Sequence, residues 1–295
     1  MAIPIATDTA EACSLAEYLA ALDASGFAPD DPASVAHAAH WLARLAANRK
    51  FLGELALTEL SQGCRREGGQ GYSPQVMMLG KPRAGWFMRA NIWPSHEEAV
   101  LADSGAAAFV YGVAHDHNFD FLTIGYHGPG YGSDHYEVDP QSIVGVVGEK
   151  VVLTPKGTST LVPGQLMHYR ARRDVHCQHA PASLSVSINL MHSTPSQRWT
   201  DQFQYDLATS TIARVLTGCT GDTLARLALM LAPQTAGDIL DTIARQHPEE
   251  RLRWSALSAL ASAEQQDEAR RTLIARYDPG GSTWLARRCR AAIGD

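Results

Sequence analysis

Between about residue 68 and residue 205 the chain has a texture that restricts its fold more than any other feature. Glycine and proline recur every few residues, and short runs rich in β-branched and aromatic residues lie between them. These runs predict strands at Gln75–Leu79, Trp86–Trp93, Ala107–Ala114, Phe119–Tyr126, Ser133–Val138, Ile143–Leu153, Thr158–Leu161, Leu166–Arg170 and Ser183–Leu190. Many short strands divided by turns, with no helix between them, point to an antiparallel sandwich or barrel.

The flanks read differently. Ala12–Leu22 and Val35–Leu60 are rich in Ala, Leu and Glu with apolar residues three and four apart, which predicts two helices. The segment Gly26–Pro32 between them carries Gly, Pro and Asp, which stop one helix and start the next. Beyond Tyr205, helical segments are predicted at Thr211–Leu216, Asp222–Leu231, Ala236–Arg245, Pro248–Ala263, Asp267–Tyr277 and Thr283–Ala292. The piece starting at Pro248 resembles a HEAT-type helix. Repeat arrays need three or more units, so a packed helical appendage fits better than a solenoid. The expected organisation is an N-terminal helical segment (1–66), a β-domain (67–206) and a C-terminal helical domain (207–295).

Composition excludes several classes. The 295 residues are 45% hydrophobic and 19% charged, as in a globular protein. Net charge is -6, and the densest basic cluster, Arg170, Arg172 and Arg173, is too short for a nucleic-acid footprint. The five cysteines are scattered and form no CxxC pair, which argues against a disulfide framework or a zinc finger. The first residues have neither the basic start nor the apolar core of a signal peptide, and no apolar run is long enough for a membrane span. A reducing, cytoplasmic compartment is the expectation.

Chemistry concentrates in the segment from Phe109 to Phe121, which contains His115-Asp116-His117. Residues i and i+2 of a strand point to one face, so the two imidazoles can reach one ion at about 2.0–2.1 Å. A third ligand has to come from a strand that folds back. Pro163-Gly164 makes a turn, a strand follows, and His176 precedes a final alternating strand. Other donors remain open. His179 and His168 are rivals to His176. Asp120 would give two histidines and one carboxylate, but alternation turns it away without a bulge. His135 and Glu137 lie on the next strand.

With these residues in order, the chain resembles the cupin superfamily, and within it the thiol dioxygenases of the cysteine dioxygenase type. The resemblance covers roughly residues 75–195. It implies an α+β chain built on a cupin-like antiparallel β-barrel, a double-stranded β-helix, with helical flanks. It implies Fe(II), or another divalent transition metal, held by His115, His117 and His176, with Ser187 on the last strand. It further implies that Arg89 binds a substrate carboxylate. The pattern departs from the family where Asn189 and Met191 stand in place of a histidine and a tyrosine, and where Leu122 lies near the place of a crosslinking cysteine. The metal site is therefore better supported than a thiol substrate.

The expected function is an oxygenase that uses O₂ to oxidise a small or peptidyl carboxylate-bearing substrate. A 2-oxoglutarate-dependent hydroxylase, with Arg170 or Arg172 binding the cosubstrate, is a second reading. A non-enzymatic cupin scaffold or sensor, whose C-terminal helices bind a protein partner, is a third. Tyr111, Tyr126 and Tyr131 are candidates to line the cavity. Gly125–Gly132 reads as a strand-connecting turn, Cys177 as a packed small side chain, and His37 and His40 as helix-surface or packing residues.

Overall fold

A computed structural model describes residues 2–7, 11–63, 73 and 75–294. Its contacts divide the chain into two compact units, Met1–Val138 with Thr154–Thr194, and Asp139–Leu153 with Pro195–Asp295.

The first unit opens with strand β1 (Ile3–Ile5) and helices α1 (Leu15–Ser25), α2 (Pro32–Ala47) and α3 (Phe51–Ser61). Each start is chemically specified. Ser14 and Glu17 form a capping box, in which the Ser14 hydroxyl accepts from the Glu17 N–H and the Glu17 carboxylate accepts from the Ser14 N–H. Asp31 caps α2, and Pro32 occupies the first turn, where its missing N–H costs nothing. The single helix expected over Val35–Leu60 is broken between α2 and α3. There the Asn48 side-chain oxygen accepts from the N–H groups of Lys50 and Phe51, at 3.2 and 3.3 Å, and so competes with the helical ladder.

The remaining elements of this unit are β2 (Val76–Met78), β3 (Trp86–Trp93), α4 (Ala99–Ser104), β4 (Ala114–His115), β5 (Phe121–His127), β6 (Gly132–Glu137), β7 (Thr154–Thr160), β8 (Leu166–Tyr169), β9 (Asp174–His179) and β10 (Ser185–His192). They form two antiparallel arrays, in the orders β1-β8-β5-β10-β3-β2 and β4-β9-β6-β7.

Strand alternation assigns the two faces of the first array. Trp86, Met88 and Ala90 of β3, Leu122, Ile124 and Tyr126 of β5, and Ile188 and Leu190 of β10 form one core with Tyr18, Leu22, Leu42 and Leu45 of the helices. The intervening positions, among them Trp93, Phe121, Met167, Tyr169 and Met191, form a second core with Phe109, Tyr131 and Leu161. The Tyr169 ring packs 4.7 Å from that of His176 on β9, so the two arrays face each other across this second core. The first array is thus covered on both sides, and six consecutive residues of β5 are buried.

Two expected strands are not formed. Ala107–Ala114 begins in a 3-10 turn (Ala106–Phe109) after α4 and continues irregularly, and Ala114 alone enters a named strand. Ile143–Leu153 is irregular, with a turn at Val147–Gly148. The Glu149 carboxylate accepts from the N–H groups of Val144, Gly145 and Val146, and Gly145 and Gly148 adopt φ of +87°.

The second unit contains a hairpin of β11 (Gln202–Asp206) and β12 (Thr211–Thr217), then α5 (Thr220–Leu231), α6 (Pro233–Gln246), α7 (Glu250–Ala263), α8 (Asp267–Tyr277) and α9 (Trp284–Ile293). The helix expected at Thr211–Leu216 is therefore a strand. Its β-branched residues suit a ladder, and the Asp206 carboxylate fixes the turn by accepting from the N–H groups of Ala208 and Thr209. Helices α5–α9 share an apolar core that includes Leu240, Trp254, Leu257, Ile274 and Leu285. Among the described residues no helix is long and apolar enough to cross a membrane. The described cysteines, Cys13, Cys177, Cys219 and Cys289, are free and buried, while Cys64 lies outside the described residues.

Candidate metal centre

His176 lies in the middle of β9, in register with His115 on β4 and with His135 on β6. The expectation that His115 and His117 share one strand needs correction. β4 ends at His115, and His117 belongs to the connection that follows. That connection is held because the Arg172 N–H donates to the His117 carbonyl at 2.6 Å. The rings converge nonetheless, with centroids 4.8 Å apart for His115 and His117, 4.6 Å for His115 and His176, and 5.1 Å for His117 and His176.

The Nε2 atoms face one another. His176 Nε2 is 3.0 Å from that of His117 and 3.3 Å from that of His115, and the three ligand atoms all lie within 4.8 Å. Two nitrogens bound to one ion at 2.0–2.1 Å are about 2.9 Å apart at a right angle and about 3.4 Å apart at the tetrahedral angle. Both separations from His176 fall in that range. His115 Nδ1 is 2.9 Å from the Val113 carbonyl, which fixes the proton on Nδ1 and leaves Nε2 as a bare lone pair.

Burial favours the neutral rings that metal binding requires. It pushes the proton affinity of His115 down against the opposing Val113 hydrogen bond, and drives His117 and His176 well below the ordinary histidine range. Neighbouring charge adds to this, from His115 and Arg89 on His117 and from the other histidines on His176. By donor type, spacing and protonation, the three imidazoles fit a divalent transition ion.

They open on a cavity of about 60 Å³ that is also lined by Arg89, Asn91, Asn189, Gln178, Tyr131 and Phe121. The polar residues follow from alternation. Arg89 and Asn91 are successive inward positions of β3, and Asn189 of β10 pairs with Arg89 on one side and Thr123 of β5 on the other. Burial pushes the Arg89 guanidinium down to about 10. Arg89 makes no ion pair among the described residues, and its Nε has no hydrogen-bond partner. Asn91 Oδ1, Gln178 Oε1 and Asn189 Nδ2 are likewise buried without partners. Orphaned buried polar atoms each cost on the order of 1–3 kcal/mol, so a cluster of them marks a site meant to be filled by a polar ligand.

The backbone around the site is strained in two places. Val110, which lines the cavity, and Arg172, which holds His117, adopt φ of +60° and +58°. For a β-branched residue this region is an outlier, and such strain costs on the order of 1–3 kcal/mol.

Other candidates are occupied elsewhere. His179 is half-exposed and 2.8 Å from Asp134. Asp120 accepts from the Ala171 N–H and lies 3.7 Å from His168, so no carboxylate joins the histidine group among the described residues. His135 bonds Ser159, and Glu137 meets Arg173 and Lys156. Arg170 is committed to Asp174. Ser187 accepts from Trp93 Nε1 at 3.0 Å, and Met191 is packed in the second core. The Tyr111 hydroxyl donates to the Pro94 carbonyl and that of Tyr126 to the Asn48 carbonyl, while Tyr131 lines the cavity against Trp93. Cys177 is buried, and His37 and His40 flank Trp41 on α2. Sequence reasoning did not single out Asn91 and Gln178. Each lies two residues beyond a named site residue, Arg89 and His176, so strand alternation was the signal.

No protein-family model and no curated protein matches the sequence. Among solved structures, the hydroquinone 1,2-dioxygenase PnpCD in complex with Cd2+ and 4-hydroxybenzonitrile is 14% identical, over 43% of this chain and 68% of that one, with a TM-score of 0.27. A hydroquinone 1,2-dioxygenase from Sphingomonas sp. TTNP3 is 10% identical, over 42% and 68%, with a TM-score of 0.27. The DMSP lyase DddQ from Ruegeria pomeroyi DSS-3 is 9% identical, over 47% of this chain and 56% of the lyase, with a TM-score of 0.26.

Proposed function

We propose that the facing sheets are a cupin barrel and that the chain is a metal-dependent oxygenase, with a divalent ion, Fe(II) by preference, on His115, His117 and His176. The observation that carries this reading is the convergence of three neutral imidazoles on one point beside an unpaired arginine. When bound, the ion supplies open coordination positions at which O₂ and a substrate can be brought together.

The chain's own residues do the rest. Arg89 docks the carboxylate of a small substrate, since a guanidinium offers it two parallel donors. Phe121, Trp93 and Tyr131 wall the cavity and limit water. Neutral rings add no positive charge of their own to repel the ion. A 2-oxoglutarate-dependent hydroxylase has less support, because the histidine group holds no carboxylate among the described residues and Arg170 is committed to Asp174.

Turnover of carboxylate-bearing candidates by Fe(II)-reconstituted protein, with and without O₂ and 2-oxoglutarate, tests the proposal. Oxygen-dependent, 2-oxoglutarate-independent oxidation is expected. Oxygen-independent activity overturns it.

A further inference from the structure

We infer that the cavity selects a small hydroxy carboxylate, in preference to an amino acid or an unsubstituted acid; the inference rests on the metal-site reading above and names the substrate class of that same site. It comes from matching the unpartnered atoms one by one. The Arg89 guanidinium and Asn189 Nδ2 are donors without acceptors, side by side on paired strands. They suit the two oxygens of a carboxylate. Asn91 Oδ1 and Gln178 Oε1 are acceptors without donors. A ligand that fills this set carries a carboxylate and, close to it, a group that donates a hydrogen bond.

Charge decides what that donor is. Among the described residues no aspartate or glutamate lines the cavity, and its charged side chain is the cation Arg89. An ammonium would leave water for neutral amide oxygens, next to a guanidinium and to the place of a metal cation, and desolvating a charge without a counter-charge is costly. A hydroxyl donates the same hydrogen bond with no charge to desolvate. An unsubstituted acid would leave Asn91 and Gln178 unpaired, and sites built to bond a hydroxyl discriminate strongly against ligands that lack it. Size agrees, since a cavity of about 60 Å³ suits a small acid rather than a large one.

Binding of L-lactate, L-alanine and propionate to Zn(II)-loaded and to metal-free full-length protein tests this without turnover. Ligand-observed NMR gives the affinities, and metal analysis of the same samples is the control. Lactate is expected to bind at least tenfold more tightly than alanine or propionate. Asn91→Leu should bring lactate to within about twofold of propionate while propionate binding persists, which shows that the variant is folded. Gln178→Leu serves as a second probe. Alanine binding as tightly as lactate, no binding of any of the three, or a lactate preference that survives both variants overturns the inference. Absence of zinc uptake would sink the metal-site reading separately, because the lactate preference is also read on metal-free protein.

Discussion

Arg89→Met should stabilise the protein while abolishing carboxylate binding, and the size of the effect follows from the site. The arginine is held without a counter-charge, and burial lowers its proton affinity to about 10, against an ordinary value above 12. At 1.36 kcal/mol for each tenfold change, carrying that charge costs the fold on the order of 3 kcal/mol at neutral pH. Relaxation around the charge reduces this. Methionine keeps most of the apolar stem, so a gain of about 1–3 kcal/mol remains. For a unit of this size, 1 kcal/mol moves the melting temperature by about 2–4 °C, so a rise of roughly 2–12 °C is expected in calorimetry of the ligand-free protein. The same variant should lose binding of lactate and propionate. Such a trade of stability for function is common where a site holds unpaired groups. A fall in melting temperature with carboxylate binding intact would refute the reasoning, since it would make Arg89 a structural cation with a partner of its own.

Other outcomes follow from the same geometry. His115, His117 and His176 all bind protons less readily when folded, so the unfolded chain takes up more protons below about pH 6.5. Stability of the metal-free protein should therefore be complete above that pH and decline as pH falls through it, by up to about 1.4 kcal/mol per pH unit for each histidine. Urea titrations at pH 7.5 and 5.5 read this, and an unchanged midpoint would contradict it. Gly130→Ala should cost at least about 2 kcal/mol in the same assay, because φ is +85° and a Cβ there would lie 2.4 Å from the Leu161 carbonyl oxygen. Unaltered stability would show that the turn leading to Tyr131 relaxes freely.

Much of the site was legible because it depends on local spacing. The run Trp86-Phe-Met-Arg-Ala-Asn-Ile-Trp93 alternates cleanly, and β3 has the bounds expected of it. The spacing of His115 and His117 was enough to bring two rings together even though their strand stops after the first. Some of the expectations that failed turn on local side-chain hydrogen bonds, as at Asn48 and Glu149, and others on contacts remote in sequence. β9 reads Asp-Val-His-Cys-Gln-His, too polar to suggest a buried strand, yet it is flanked on both sides and almost wholly buried. Its inward polar face carries His176 and Gln178 of the proposed site, and the departure from a hydrophobic pattern is the signal that points there. The tertiary ladder likewise overrode the local pattern that read Thr211–Leu216 as a helix.

Metal stoichiometry of purified protein, measured by plasma mass spectrometry after reconstitution and desalting, tests the central claim most directly. One ion per chain is expected for the wild type and for His179→Ala. For His176→Ala the affinity should fall by more than about tenfold, since even the loss of a ligand's supporting hydrogen bond costs about 10–100-fold. Equal metal retention in wild type and His176→Ala, or no retention in either, would contradict the account.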